Sequence, residues 1–256
     1  MRVCGQESKT EHLQLEKGST FTSYEPYADA VKEFKNIPNG ILYGKKWVAC
    51  GDSFTEGVAA GVFTDGKFTG EYKSYPFLIG LRNDMDVVNL AVGGMTLAAR
   101  TDNDNYFSNT AYQSIDADAD YITIKLGIND HNYHSPVGTI DDTDNTTFYG
   151  AWNVVLEHII VNHPLAKIGI IVTNGSSMDY VNATIAIAEK WGIPYLNEAT
   201  GVLVPTMHRS NKSLPSSVIE ARLNAFAADL ANGDTHPNAA GHEYESTFVE
   251  NFLRTL

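Results

Sequence analysis

Lys46-Trp47-Val48-Ala49-Cys50-Gly51-Asp52-Ser53-Phe54-Thr55-Glu56-Gly57 is the stretch on which the fold turns. Its apolar run from Trp47 to Cys50 has the length and composition of a strand buried on both faces. Gly51 and Asp52 break that run and lead into a strand-to-helix turn that carries Ser53. The same alternation continues outward from Gly44, with short β-branched runs and amphipathic stretches taking turns, which is the pattern of βαβ units and a parallel sheet. The runs predict strands over Lys46–Cys50, Asp86–Leu90, Tyr121–Leu126, Lys167–Thr173 and Pro194–Leu196. Helices are predicted over Tyr75–Asn83, Thr146–Asn162, Tyr180–Trp191, Ser216–Ala231 and Ala239–Leu256. In the second of these, Phe148, Trp152, Val155, Ile159 and Ile160 recur at helical spacing and mark a buried stripe. Ser216-Ser217-Val218-Ile219-Glu220 reads as a capping box opening the fourth.

Two more segments follow the ends of apolar runs: Asn89-Leu90-Ala91-Val92-Gly93-Gly94 and Gly127-Ile128-Asn129-Asp130. Parallel strands place their carboxyl ends on one edge of a sheet, so Ser53, Gly94 and Asn129 are expected to converge there. A fourth segment, Asp234-Thr235-His236-Pro237-Asn238, supplies a histidine with a carboxylate two residues before it. Acyl transfer needs these parts: a nucleophile, a base beside it, a group that orients the base, and donors for the oxyanion.

Each segment alone has an ordinary explanation. Gly-Asp-Ser can be a helix cap, Gly-Gly a plain turn, and His-Pro-Asn a capping or surface histidine. All four in this order, from about Lys46 to Leu256, resemble the SGNH (GDSL) hydrolase family. The resemblance implies a three-layer α/β/α sandwich with a central five-stranded parallel sheet of flavodoxin-like order. It implies hydrolysis of an ester through an acyl-Ser53 intermediate, with no cofactor and no metal. His236 would be the base, and Ser53 N–H, Gly94 N–H and the Asn129 side chain the oxyanion donors. Asp52 would brace the turn through backbone hydrogen bonds. The common G-x-S-x-G elbow is absent, because Thr55 stands where its second glycine belongs.

The chain departs from the family pattern just before the histidine. The usual acid lies three residues ahead of it, where Gly233 stands here, and Asp234 is two ahead. Either Asp234 reaches the ring from a tighter turn, or a backbone carbonyl orients the ring. Family members include carbohydrate acetylesterases, lysophospholipases, thioesterases and arylesterases. Removal of acetyl or another short acyl group from a carbohydrate fits the acidic surface and the polar segment His131–Asn145 beside the expected edge. The alternatives are a lipolytic enzyme of the lysophospholipase or thioesterase type and a non-catalytic glycan-binding module on the same fold.

Other motifs carry less. Gly61–Phe68 follows the spacing of a phosphate loop, but Phe68 replaces the required hydroxyl residue. Asp116, Asp118 and Asp120 alternate like calcium ligands without the turn glycine, and read as a solvated loop face. His131 and His134 are candidates for the substrate-binding rim, together with Tyr133, Tyr106 and Phe107. A metal held by these histidines with Asp141 or Asp142 lacks a further ligand at recognisable spacing. The segment His131–Asn145 itself reads as a functional rim or as a mobile surface loop.

The 256 residues carry a net charge of −13, with 43% hydrophobic and 19% charged residues. That balance argues for a small-molecule or glycan ester as partner and against nucleic acid, whose phosphates call for clustered Lys and Arg. No apolar stretch approaches the ~20 residues of a membrane span. Met1–Glu7 has no apolar leader, which points to the cytoplasm, or to an extracellular or virion-associated setting if the chain belongs to a longer protein. Cys4 and Cys50 make no disulfide framework, and Cys50 is expected in the core. Residues 1–44 fall outside the strand–helix alternation and read as an extended arm or the remnant of a preceding module, ahead of a hydrolase domain over 45–256. Leu13–Tyr27 resembles a closing segment of β-sandwich modules in phage tail proteins.

Overall fold

The computed structural model describes residues 2–5, 13–16, 40–57, 63–64, 67–68, 74–200, 215–229, 231 and 233–256. The chain forms two compact units, Met1–Asn39 and Gly40–Leu256. In the first, β1 (Arg2–Gly5) pairs antiparallel with β2 (Leu13–Glu16). Most of the tail-protein-like stretch Leu13–Tyr27 lies outside the described residues.

The second unit is built on five parallel strands. In chain order they are β3 (Lys46–Gly51), β6 (Asp86–Asn89), β7 (Tyr121–Lys125), β8 (Lys167–Val172) and β9 (Tyr195–Asn197). Their spatial order is β6-β3-β7-β8-β9, so the chain reverses direction across the sheet between β3 and β7. Phe63–Thr64 (β4) and Lys67–Phe68 (β5) form a small antiparallel pair; the rest of the phosphate-loop-like stretch lies outside the described residues.

The helices are α1 (Ser53–Glu56), α2 (Tyr75–Asn83), α3 (Ile128–Asn132), α4 (Phe148–Asn162), α5 (Met178–Trp191), α6 (Ser216–Phe226) and α7 (Ala239–Thr255). Alternation along β3 sends Val48 and Cys50 to one face of the sheet and Trp47 and Ala49 to the other. The first face packs against the α4 stripe Phe148, Trp152, Val155 and Ile159 and against Tyr180 and Ile187 of α5. The second packs against Tyr75 and Ile79 of α2 and Val249, Phe252 and Leu253 of α7. Helices on both faces of a parallel sheet give the three-layer α/β/α sandwich. Cys50 is a buried free thiol.

Trp152 is fully buried at the centre of the larger core. Its replacement by alanine is expected to cost about 3–5 kcal/mol, the range for deleting a large core aromatic. Urea unfolding measures this directly, and a loss below about 1 kcal/mol would contradict the buried-stripe account.

The opposite edge of the sheet explains the aspartate run. Lys46 Nζ lies 2.8 Å from Asp118 and 3.2 Å from Asp116, while Lys45 Nζ lies 2.8 Å from Asp120. Asp120 also accepts the Lys46 backbone N–H at 2.9 Å. These acids tie the start of β7 to the start of β3, rather than forming a purely solvated face.

Two expectations need correction. The helix predicted over Ser216–Ala231 ends at Phe226, and Ala227–Asp229 becomes β10, paired antiparallel with β11 (Asp234–Pro237). Alanine favours helix, but this ribbon uses the backbone groups otherwise, with Asn238 N–H donating to Phe226 O at 2.7 Å. The capping box is not formed either. Pro215 is the cap residue and, among the described residues, no side chain caps the helix, because Ser216 and Ser217 are already helical.

Candidate active site

Ser53 opens α1 at the carboxyl end of β3. Asp52 caps that helix: fully buried, it accepts the Phe54 N–H at 3.0 Å. Burial pushes its carboxyl up to about 6, against the pull of that hydrogen bond, Lys125 and His236. Gly51 allows the turn to close tightly, since a Cβ there would stand 2.3 Å from Thr55 Oγ1 and 3.0 Å from Lys125 O.

The Gly94 and Asn129 segments are laced to this turn. Val92 N–H donates to Gly51 O at 3.2 Å. Asn129 Nδ2 donates to Met95 O at 3.0 Å. Gly94 therefore sits between one residue tied to the serine turn and another tied to Asn129, and its φ of +74° marks the turn itself. Asn105 Nδ2 donates to Gly93 O at 3.0 Å. Asn89 bridges Thr55 O and Ala91 N–H at 3.0 and 3.1 Å. Buried Asp130 accepts Leu97 N–H at 2.8 Å and Ala98 N–H at 2.9 Å, clamping the Gly94 loop to α3. Burial pushes the Asp130 carboxyl up to about 6.

His236 enters from β11, not from a helix start. Its Nε2 lies 2.7 Å from Ser53 Oγ, and its Nδ1 lies 2.6 Å from Asp234 Oδ1. Asp234 Oδ1 also accepts the His236 backbone N–H at 3.0 Å. Gly233, with φ +80°, supplies the left-handed turn from which an acid two residues before the histidine folds back onto the ring. The carboxylate thus reaches the ring from its shifted position. Burial works against the charge on Asp234, but its hydrogen bonds from His236 outweigh burial and hold the carboxyl below its usual range. The Phe54 ring packs on the His236 ring with centroids 4.9 Å apart.

The rim differs in part from expectation. Phe107 is fully buried and belongs to the core, where it touches Tyr112. Tyr133 is exposed, with the Arg100 guanidinium 3.5 Å from its ring centroid, so the Gly94 loop and α3 also meet on the solvent side. His131 packs edge-on against Tyr180, and His134 is exposed with φ +57°. Asp142 is taken up by Thr139 and Thr147, whose hydroxyls each donate to it at 2.7 Å. Asn153 Nδ2 bonds Ile140 O and Asp142 O at 3.0 and 2.8 Å, and Lys190 Nζ bonds Ile140 O at 2.7 Å. His131–Asn145 is therefore pinned onto α4 and α5 rather than a free surface loop.

Lys125, Glu198 and Glu245 escaped the sequence reading. Their signal was a lone lysine at the end of the buried run Tyr121–Leu126, which demands a buried partner.

Residues 49–244 match the GDSL-like Lipase/Acylhydrolase family, and the chain belongs to it. The match supports an ester hydrolase. Among solved structures, a protein from Lactobacillus plantarum is 25% identical with TM-score 0.62, over 84% of this chain and 98% of that one. A family two carbohydrate esterase from Cellvibrio japonicus is 19% identical with TM-score 0.56, over 86% of this chain and 63% of that one. A Bacteroides ovatus protein described as a GDSL-like lipase is 19% identical with TM-score 0.60, over 83% and 99%. The last two likenesses concern the fold. Comparison with curated proteins gives no match. None of these comparisons supports the tail-protein resemblance of Leu13–Tyr27. Among the described residues, no helix is long and apolar enough to cross a membrane.

Proposed function

We propose that this chain is a serine carboxylic ester hydrolase that removes acetyl or another short acyl group from a carbohydrate through an acyl-Ser53 intermediate. The observation that carries the proposal is the unbroken series Ser53 Oγ–His236–Asp234 at 2.7 and 2.6 Å. His236 Nε2 takes the Ser53 proton as Oγ attacks the ester carbonyl, then returns it to the leaving alcohol. Asp234 holds the proton on Nδ1 and stabilises the imidazolium that forms. Ser53 N–H, Gly94 N–H and Asn129 Nδ2 stabilise the oxyanion, Asn129 using the amide hydrogen not committed to Met95. Water then repeats the attack on the acyl-enzyme, with His236 again the base.

Three things support the short-acyl, carbohydrate reading. The segments around the serine, Gly93–Thr96 and Asn129–His134, are polar or glycine-rich. Tyr133 offers an exposed ring beside α3, suited to a sugar face. The fold is shared with family two carbohydrate esterases. His131 and His134 belong to the same rim. The partner is a neutral small-molecule or glycan ester. The expected activity profile over p-nitrophenyl esters falls sharply from acetyl to octanoyl. A channel for the longer chain would instead gain ~0.8 kcal/mol per buried CH₂. A kcat/KM that rises toward octanoyl would replace this reading with the lipolytic one. Labelling of Ser53 by an organophosphonate separates an enzyme from a module that only binds glycans.

A further inference from the structure

Behind the nucleophile turn, on the α2/α7 face of the sheet, lies a buried charge cluster that the hydrolytic steps above do not use. Lys125, the last residue of β7, is 1% exposed in its side chain. Its Nζ lies 2.8 Å from Glu198 Oε2 and is hydrogen-bonded to Glu245 Oε1. Glu198 follows β9, and Glu245 sits on α7; their side chains are 2% and 6% exposed. Glu198 Oε1 and Glu245 Oε2 lack a hydrogen-bond partner among the described residues.

The cluster touches the catalytic parts through two short routes. Lys125 Nζ is 5.9 Å from the Phe54 ring centroid, and that ring packs on His236. It is 5.4 Å from the Tyr75 ring centroid, and Tyr75 Oη is hydrogen-bonded to Thr55 Oγ1 at 3.0 Å. Phe54 and Thr55 are the two residues that follow Ser53. The remaining α7 neighbour, His242, accepts the Tyr75 N–H at Nδ1; burial above all, then Lys125 and His236, push its ring down to about 3, so it adds no cation.

Two carboxylates and one ammonium, all shielded from water, would leave a net buried charge, which is far costlier than a neutral set. A pair of acids sharing one site resolves this by keeping a proton on one of them. We propose that Lys125, Glu198 and Glu245 are positioning residues for the nucleophile turn, acting as a neutral unit in which the Glu198 carboxylate balances Lys125 and Glu245 keeps its proton. Burial, and next the Glu198 charge, raise the Glu245 carboxyl to about 8; burial also works against the charge on Lys125, but the neighbouring carboxylate, Glu198 foremost, outweighs it and keeps Lys125 protonated. Loss of the Glu245 proton puts an unbalanced charge under Phe54 and Tyr75. The cluster then relaxes, the seat of α1 loosens, and the Ser53–His236 alignment is lost. Substrate-facing groups are untouched, so the effect falls on kcat rather than KM. Because the proton stays on in the folded state, this group's stability contribution is full below the unfolded glutamate value of 4.5 and is lost as pH rises through about 8.

The test compares Glu245→Gln, which fixes the neutral form, with wild type in p-nitrophenyl acetate kinetics and thermal unfolding from about pH 7 to 9.5. Wild-type kcat is expected to fall at least about fivefold above pH 8 at constant KM, and the variant to stay within about twofold across the range. An alkaline fall shared by both proteins overturns the proposal. So does a variant that folds but loses more than about tenfold in kcat at pH 7, since the ionised form would then be the working one. Infrared difference spectra of the wild type decide independently of any variant's folding. A protonated-carboxyl band present at pH 7 and bleached by about pH 9.5 is expected, and its absence overturns the proposal. Only the kinetic arm rests on the Ser53 reading; if Ser53→Ala removes activity and the infrared band is missing, the hydrolytic reading stands and this one falls.

Discussion

Ser53→Ala is expected to lower kcat by more than about 10⁴-fold while leaving the protein folded. The hydroxyl is both the atom that attacks the ester and the donor of the proton that His236 removes, so no neighbouring group takes over its role. A factor of 10⁴ corresponds to about 5.5 kcal/mol of barrier, far above what one part-buried hydrogen bond contributes to stability. Alanine is also the better helix former, and Ser53 is the first residue of α1, so little stability should be lost. Any residual rate reflects the oxyanion donors, which the substitution leaves in place. Initial rates on an activated acetyl ester, with the unfolding midpoint measured alongside, check both halves. A variant retaining a tenth of wild-type turnover would remove Ser53 as the nucleophile.

The centre of the sheet was legible because β3 and β7 are buried on both faces, so Trp47–Cys50 is wholly apolar and Tyr121–Lys125 is interrupted only by Thr123 and Lys125. The segments of Ser53, Gly94 and Asn129 were legible for a related reason, since each follows such a run with residues that packing alone does not call for, whereas His236 follows none and stood out by its Asp-x-His-Pro-Asn context. What stayed hidden depends on contacts between distant segments. Local propensity could not show that Ala227–Asp229 abandons helix to pair with Asp234–Pro237, because the partner lies beyond the next turn. Nor could it show that Lys125 meets Glu198 and Glu245, which are far along the chain. Phe107 looked like a rim aromatic only because sequence does not reveal which side of the Gly94 loop faces the core.

Asp234→Asn tests the shifted acid. In the folded protein Asp234 Oδ1 accepts both the His236 backbone N–H at 3.0 Å and the ring Nδ1 at 2.6 Å. Asparagine can keep the backbone bond, and with it the turn set by Gly233. It cannot keep the negative charge that stabilises the imidazolium formed when His236 takes the Ser53 proton. The expected loss is therefore about 10³–10⁴ in kcat with the fold retained. Stability supplies a second readout. Hydrogen bonds from His236 hold the Asp234 carboxyl below its ordinary value of 3.8, so its contribution is present above that pH and fades as pH falls through the folded value. The variant should lack this acid-side dependence. Because the side chain is 40% exposed, solvent screens the stability effect and keeps it small beside the catalytic one. If kcat instead falls less than about tenfold, or ~1.4 kcal/mol of barrier, the carboxylate only holds the turn and the working unit is a Ser53–His236 dyad.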